Sequence, residues 1–235
     1  MPATRSTKTE ATQADQAYQA IKQAILRGDF PEGSFLSEPD VTKRFHIGRT
    51  PFREACNRLH NESILDLVPR RGFRVPEMTF LTARDLLETR LILEGAAAEL
   101  AAVRAEPSQL TELNRLWRQT VSHARSKSSV EQLIESNMEF HLQLARMSHN
   151  RELERLLRGV LERALKLSYL AFRWSSAIEK DTQDLLHTIV EAVRRRDPSA
   201  AHKAVVEDIT RGQLNILGRE LWSAPATRLA VHTRS

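Results

Sequence analysis

Three polar side chains that recur every fourth residue are the first feature of this sequence with a definable chemistry. Arg49, Arg53 and Asn57 share one face if residues 49–61 form a helix. The same segment has a separate apolar stripe made of Phe52, Ala55, Cys56 and Leu59. Arginines near the start of such a helix can bind DNA phosphates or the O6 and N7 edge of guanine. The pattern predicts a helix that packs by one side and binds DNA by the other; a solvated basic face is the alternative.

A second pair of cations lies at a predicted turn. Arg70 and Arg71 precede Gly72, between two β-prone runs at residues 64–68 and 73–75. Two such runs around a glycine-containing turn predict a β-hairpin. Its tip would carry both arginines to an adjacent groove or to the DNA backbone, unless they too are only a solvated surface.

Three helices must position these residues. Periodicity predicts them over about 15–27, 38–45 and 49–61, with Gly28 ending the first and Thr50-Pro51 opening the third. Because the hairpin follows directly, the arrangement is that of a winged helix-turn-helix, in which one helix braces another in the major groove.

Beyond Pro76 the pattern changes to helical periodicity throughout. Residues 80–222 hold hardly any β-branched run, and breaks fall near 106–107, 126–129, 148–150, 174–177 and 197–198. We therefore predict a mainly α fold: a winged helix-turn-helix of three helices plus a β-hairpin, then an all-α bundle of six to seven helices.

Composition narrows the class of protein. The formal net charge is +5, and residues 1–76 hold 12 Lys and Arg against 9 Asp and Glu, which permits nucleic-acid binding. No apolar run approaches the roughly 20 residues that span a bilayer, and the polar N-terminus lacks a signal peptide. We expect a cytoplasmic protein without a membrane partner.

The single cysteine, Cys56, excludes an internal disulfide and a thiolate zinc site, and we expect it to be buried.

Catalytic motifs do not stand out in the sequence. It contains no Gly-rich phosphate loop, paired-carboxylate loop or nucleophile motif, so we expect no enzyme. A hydrolytic site with His141 and Asp208 is conceivable but has no defined substrate. An architectural DNA-binding protein without a ligand is the other alternative.

Residues 25–75 resemble the GntR family of bacterial regulators. The resemblance is carried by Ile25-Leu-Arg-Gly28, Pro31-Glu-Gly33, Leu36-Ser-Glu38, Ile47-Gly-Arg-Thr-Pro51, Arg53-Glu-Ala55, Arg58-Leu59 and Pro69-Arg-Arg-Gly72 with Val75. It implies DNA contacts from Arg49, Thr50 and Arg53 in the recognition helix and from Arg71 and Gly72 in the wing. Three positions depart from the usual family residues, which affects the expected operator sequence; they are Pro39, Gly48 and Ser63.

Residues from about 80 to 210 resemble the FCD domain of the FadR branch of that family. The matching pieces are Asp85-Leu-Leu-Glu-Thr-Arg90, Leu93-Glu94, Ala97–Ala102, Phe140-His141 with Leu144, Asn150-Arg-Glu-Leu153, and Ile189-Val-Glu-Ala192 with Asp197 and Ala201. The resemblance implies a homodimer that reads a pseudo-palindromic double-stranded operator. It also implies a small organic acid as effector, often beside a metal held by one Asp and three His.

The metal pattern is incomplete in this sequence. The four expected ligand positions hold Asn137, His141, Leu186 and Asp208, and His187 lies one residue from the third. One helical residue rotates a side chain by about 100°, so His187 does not simply replace that ligand. Asn137, His141 and Asp208 would make at most a weak divalent-metal site. A metal-free pocket that uses the same positions for hydrogen bonds is the alternative, and no cofactor is otherwise expected.

The effector site implied by the resemblance comprises Arg90, Asn137, His141, His187 and Asp208. Arg90 can clamp a carboxylate by bidentate pairing, or it can pair with Glu94 one helical turn away. His141 lies beside Phe140 and can equally be a core histidine.

These expectations define a domain order. We predict a disordered tail (1–12), a winged helix-turn-helix DNA-binding domain (13–76), a helical effector-binding and dimerisation domain (80–222) and a loose tail (223–235). The predicted function is that of a DNA-binding regulator, a repressor in the simplest case, controlled by a small organic acid.

Overall fold

The computed structural model describes residues 12–125, 129–174 and 181–221, with the backbone alone for 170–174, 181–183 and 213–221. The predicted tails lie outside these residues, apart from Thr12. The described elements are α1 (Gln13–Arg27), α2 (Glu38–Phe45), α3 (Arg49–Asn61), β1 (Asp66–Val68), β2 (Gly72–Arg74), α4 (Phe80–Arg104), α5 (Pro107–Arg125), α6 (Val130–Met147), α7 (Arg151–Trp174), α8 (Asp181–Arg194) and α9 (Pro198–Leu221). The chain divides into two compact units, Met1–Glu77 and Met78–Ser235. The predicted mainly α fold is confirmed.

Local capping sets the helix ends of the first unit. The Thr12 hydroxyl accepts a hydrogen bond from the Asp15 amide while the Asp15 carboxylate accepts one from the Thr12 amide, a capping box that starts α1. Gly28 ends α1 in the left-handed conformation, with φ of 78°. Ser37 caps α2 through its hydroxyl, which accepts a hydrogen bond from the Asp40 amide. Because polar side chains close these ends, the apolar faces of α1 and α3 can pack together, and Cys56 is fully buried between them as expected.

The hairpin β1–β2, called the wing below, follows α3. Its antiparallel register pairs Leu67 with Phe73 and Val68 with Gly72. The tip needs left-handed backbone, with φ of 62° at Arg70 and 91° at Gly72. The first strand is shorter than predicted, because Ile64 and Leu65 are instead buried in the core of the first unit after the turn that ends α3.

The second unit contains helices α4 to α9, so six helices follow the wing in the described residues. Helix α4 packs against α6, α7 and α9, and α5 packs against α6 and α8. Small residues on α4, among them Ala98, Ala101 and Ala102, let the neighbouring helices approach closely in the main core. No helix in the described ranges is both long and apolar enough to cross a membrane.

Two arginines bind the C-terminal carbonyl groups of helices in the second unit. Arg196, in the turn between α8 and α9, donates hydrogen bonds to the carbonyls of Ala102, Val103 and Ala105 at the end of α4. Arg104, in the last turn of α4, donates to the carbonyl of Ser148 at the end of α6. These carbonyls have no partner within their own helices, so the two guanidinium groups satisfy them and join the three chain segments.

Candidate functional site

Helix α3 exposes the side chains that the sequence predicted to bind DNA. The side chain of Arg49 is 84% exposed and that of Arg53 is 68% exposed, and Thr50 and Asn57 are exposed as well. The opposite side is buried, as predicted, by Phe52, Ala55, Cys56 and Leu59. Gly48 begins the helix without a side-chain cap, so this end of α3 lacks the capping hydroxyl usual in the resembling family. The helix therefore has the division into a packing face and a polar face that a recognition helix requires.

One carboxylate binds both arginines of this face. Glu38 Oε2 lies 3.0 Å from Arg53 Nε, and Glu38 Oε1 lies 3.5 Å from Arg49 Nε. Glu38 is the first residue of α2, so α2 contributes to the polar face of α3 as well as bracing it. In the sequence Glu38 stands out only as part of the Leu36-Ser-Glu38 motif, because ion pairs with residues 11 and 15 positions away leave no periodic signal.

The wing adds further cations beside α3. A cavity of about 440 Å³ in the first unit is lined by Leu36, Glu38, Phe52, Arg53, Asn57, Arg71, Gly72 and Phe73. The Arg71 guanidinium lies over the Phe35 ring, 4.1 Å from its centroid, and Arg70 is exposed at the tip. The structure thus brings Arg53, Asn57, Arg71 and Gly72 around one cavity. Arg49, Thr50 and Arg70 lie outside its lining.

A chain of ion pairs links three helices inside the second unit. Arg90 Nε on α4 lies 2.6 Å from Glu94 Oε1, and Glu94 Oε2 lies 2.6 Å from Nδ1 of His141 on α6. His141 Nε2 lies 3.3 Å from Oδ2 of Asp208 on α9. The side chains of Glu94 and His141 are only 2% and 1% exposed. Arg90, Glu94, His141 and Asp208 are called the buried cluster below.

The buried cluster fixes the charge of its two innermost members. Burial alone lowers the pKa of His141, but the carboxylates of Glu94 and Asp208 outweigh burial and raise that pKa to about 9. Burial alone raises the pKa of Glu94, but Arg90 and His141 outweigh it and lower that pKa to about 2. At neutral pH His141 is therefore a cation and Glu94 an anion. Of the alternatives open from the sequence, Arg90 pairs with Glu94 one turn away. His141 is a buried core histidine, and it contacts two carboxylates.

Several polar atoms of this region lack a well-aligned hydrogen bond. Asn137, one turn before His141 on α6, has a buried Oδ1 that finds no hydrogen-bond partner among the described residues. Both ring nitrogens of His141 and Oε2 of Glu94 have short ion-pair distances without hydrogen-bond alignment. Arg90 is 13% exposed, and in the described part of the chain its Nη1 and Nη2 have no protein partner. A polar ligand at this place would satisfy atoms that the protein leaves unpaired.

His187 lies elsewhere in the second unit. Its ring stacks on Trp117 with 4.7 Å between centroids, its Nε2 lies 3.9 Å from Glu191, and its side chain is 51% exposed. Leu186 is instead fully buried in the main core. A rotation of about 100° per residue separates the two side chains. The structure therefore does not bring His187 to Arg90, Asn137, His141 and Asp208, with which the resemblance grouped it.

The donor set does not fit the metal that the resemblance implies. Leu186 supplies no donor, Asn137 supplies a neutral oxygen, and both nitrogens of His141 face carboxylates. Among the described residues no group of three or more His, Cys, Asp or Glu side chains has the arrangement of a metal site. The buried cluster is therefore interpreted without a metal.

Comparison with known proteins gives the family. Residues 13–75 match the profile of the bacterial regulatory proteins of the gntR family, and residues 85–211 match that of the FCD domain. The chain is 28% identical to YdhC, an uncharacterized HTH-type transcriptional regulator of Bacillus subtilis, over 81% of this chain and 85% of that protein. It is 31% identical to the Nta operon transcriptional regulator of Aminobacter aminovorans, over 73% of this chain and 80% of that protein.

A solved structure supports the fold. Escherichia coli McbR/YncC superposes with a TM-score of 0.74 at 22% identity, covering 86% of this chain and 95% of that one. The exposed arginine face of α3, the adjacent wing and the FCD match are thus parts of one known architecture. The chain belongs to the GntR family of bacterial regulatory proteins, carries an FCD domain, and is a DNA-binding transcriptional regulator.

Proposed function

We propose that a small carboxylic acid binds beside the buried cluster and controls operator binding. The observation that carries this proposal is that, among the described residues, Nη1 and Nη2 of Arg90 form no hydrogen bond, and neither does the buried Oδ1 of Asn137, one turn before His141 of the buried cluster. A carboxylate satisfies the guanidinium by bidentate pairing. A hydroxyl or amino group on the same molecule satisfies Asn137. Asp208 and Glu94 disfavour a second carboxylate, so the proposed effector is a monocarboxylate with a hydrogen-bond donor.

Thermal unfolding of the full chain tests this proposal. The ligands are 2-hydroxy monocarboxylates and, for comparison, dicarboxylates of equal chain length. Binding to the folded state alone raises the unfolding temperature. We expect a rise with a hydroxy acid that is lost in Arg90→Ala and kept in Arg118→Ala, an exposed arginine on α5. No rise with any acid would favour an architectural DNA-binding protein, and a rise that persists in Arg90→Ala would place the effector elsewhere.

A homodimer is the second part of the proposal. Leu81, Ile92 and Val103 are exposed apolar residues at intervals of 11 on α4, with exposed fractions of 40%, 70% and 62%. Eleven residues make close to three helical turns, so these side chains lie along one face. We propose that this face pairs with its copy in a second chain, which would present two recognition helices to a pseudo-palindromic operator.

Sedimentation of the full chain tests the dimer. Ile92→Glu should shift the protein to monomer at micromolar concentration, whereas Val130→Glu, an equivalent change at an exposed residue of α6, should not. A wild-type monomer with and without DNA would contradict the dimer.

The sign of regulation is proposed by analogy. A relative in Escherichia coli, 25% identical, is named as the transcriptional repressor RspR. Repression released by the acid, in the cytoplasm and without catalysis, is the corresponding proposal for this chain. Measurement of operator affinity with and without the stabilising acid tests it: repression released by the acid requires weaker binding in its presence, and tighter binding would contradict it.

A further inference from the structure

We infer that Glu38 is a specificity-determining residue of the DNA-binding face. It positions Arg49 and Arg53 for contacts to base edges and disfavours their use as general phosphate contacts. The inference rests on the DNA-binding function and is independent of the proposed effector.

The geometry supports the positioning role. Each carboxylate oxygen of Glu38 faces the Nε atom of a different arginine, at 3.5 Å for Arg49 and 3.0 Å for Arg53. The other two guanidinium nitrogens of each arginine, Nη1 and Nη2, have no partner among the described residues. The pairing therefore leaves the terminal nitrogens available for the bidentate contact that recognises guanine.

The Glu38 side chain is less exposed than the two arginines it binds. The Glu38 side chain is 24% exposed, whereas the two arginines are mostly exposed. Glu38 is also the first residue of α2, where the partial positive charge of a helix start stabilises a carboxylate. A long exposed side chain loses conformational entropy when it binds, and pairing with a fixed carboxylate reduces that loss.

The charge of Glu38 acts against non-specific binding. Non-specific affinity for DNA comes from the positive charge that neutralises phosphates. One carboxylate between two guanidinium groups removes half of their net charge and repels a phosphate placed there. Contacts to base edges depend on hydrogen-bond geometry, so the carboxylate weakens them less than it weakens phosphate contacts. Glu38 therefore lowers affinity for non-matching sequences, whereas at the matching sequence its positioning of the two arginines offsets the lost positive charge.

The experiment compares two DNA duplexes. One is selected from a random pool by the wild-type protein, and the other is a scrambled duplex of equal composition. For Glu38→Gln we expect tighter binding to the scrambled duplex, no tighter binding to the selected one, and a fall in their affinity ratio of about tenfold or more. The slope of log affinity against log salt for the scrambled duplex should steepen by about one.

The matched control is Asp40→Asn. Asp40 is an exposed carboxylate in the same first turn of α2, and among the described residues it has no arginine partner. Its removal should change affinity for both duplexes alike and leave the ratio unchanged. Glu38→Asp keeps the charge but shortens the reach, so it should lower the ratio without strengthening scrambled binding. An unchanged ratio in Glu38→Gln and Glu38→Asp, with wild-type unfolding temperatures, would overturn the inference.

Discussion

Each of the two units contains a cluster of arginine and carboxylate side chains, and the clusters differ mainly in burial. In the first unit Glu38 pairs with Arg49 and Arg53, whose side chains are 84% and 68% exposed. In the second unit Glu94 pairs with Arg90 and His141, which are 13% and 1% exposed.

Burial decides what such pairs can do. An exposed pair contributes only about 0–1 kcal/mol to the free energy of unfolding. Removal of one member of a buried pair leaves an uncompensated charge, which costs about 3–5 kcal/mol. The first cluster can therefore orient the DNA-binding arginines while contributing little to stability, whereas the second fixes the positions of α4, α6 and α9.

The strongest test of this comparison is Glu94→Gln. Because it leaves the charge of Arg90 uncompensated and His141 paired with Asp208 alone, we expect the free energy of unfolding of the second unit to fall by about 3–5 kcal/mol. Glu88→Gln, at an exposed site on the same helix, should change it by less than about 0.5 kcal/mol. Chemical denaturation of the full chain measures both, and equal losses would contradict the assigned role of burial.

Substitution of the exposed arginines should show the opposite pattern. Arg49→Ala and Arg53→Ala should each weaken binding to the selected duplex by about 1–3 kcal/mol, because each removes a base or phosphate contact. Stability should change by less than about 0.5 kcal/mol. Titrations that gave wild-type affinity for both variants would exclude α3 as the recognition helix; Arg118→Ala serves as the control for lost positive charge.

The dependence of stability on pH should arise in part from the buried cluster. The pKa of His141 is raised from 6.5 to about 9 in the folded state, so the folded chain keeps a proton that the unfolded chain loses. The contribution of protonated His141 to the free energy of unfolding is complete below pH 6.5. It is lost as the pH rises towards 9, by roughly 1 kcal/mol per pH unit. In His141→Gln the free energy of unfolding, measured by chemical denaturation, should depend less on pH over this range. Parallel curves for both proteins would contradict the raised pKa.

The smallest expected effect concerns metals. Elemental analysis after dialysis against a chelator should find far less than one transition metal per chain, because Leu186 and Asn137 replace charged or imidazole ligands. Added zinc or nickel should leave the unfolding temperature unchanged. A value near one metal per chain would show that the cluster rearranges to bind it.

Sequence patterns predicted the local structure well because capping residues mark it. Gly28 lies where α1 ends and Thr50-Pro51 lies in the first turn of α3, so these two bounds follow from local chemistry within a few residues. The start of β1 was predicted two residues too early, because buried Ile64 and Leu65 have the composition of a strand without its pairing.

Tertiary pairing was harder to predict. Glu94 is central to the buried cluster, yet the sequence indicated only its pairing with Arg90 on the same helix. Its contact with His141 depends on how α4 packs against α6, and no periodicity encodes that. The resemblance supplied the positions of Asn137, His141 and Asp208, while the DNA-binding assignments and the effector assignments stay predictions.

The bonds of Arg196 and Arg104 have a consequence for local opening. Together they join the ends of α4 and α6 to the turn before α9. Groups joined in this way open as one cooperative unit rather than fray separately. Amide hydrogen exchange in the last turns of α4 and α6 should therefore occur at a common rate, and Arg196→Ala should accelerate exchange at the end of α4 although no amide proton of α4 is itself bonded to that residue.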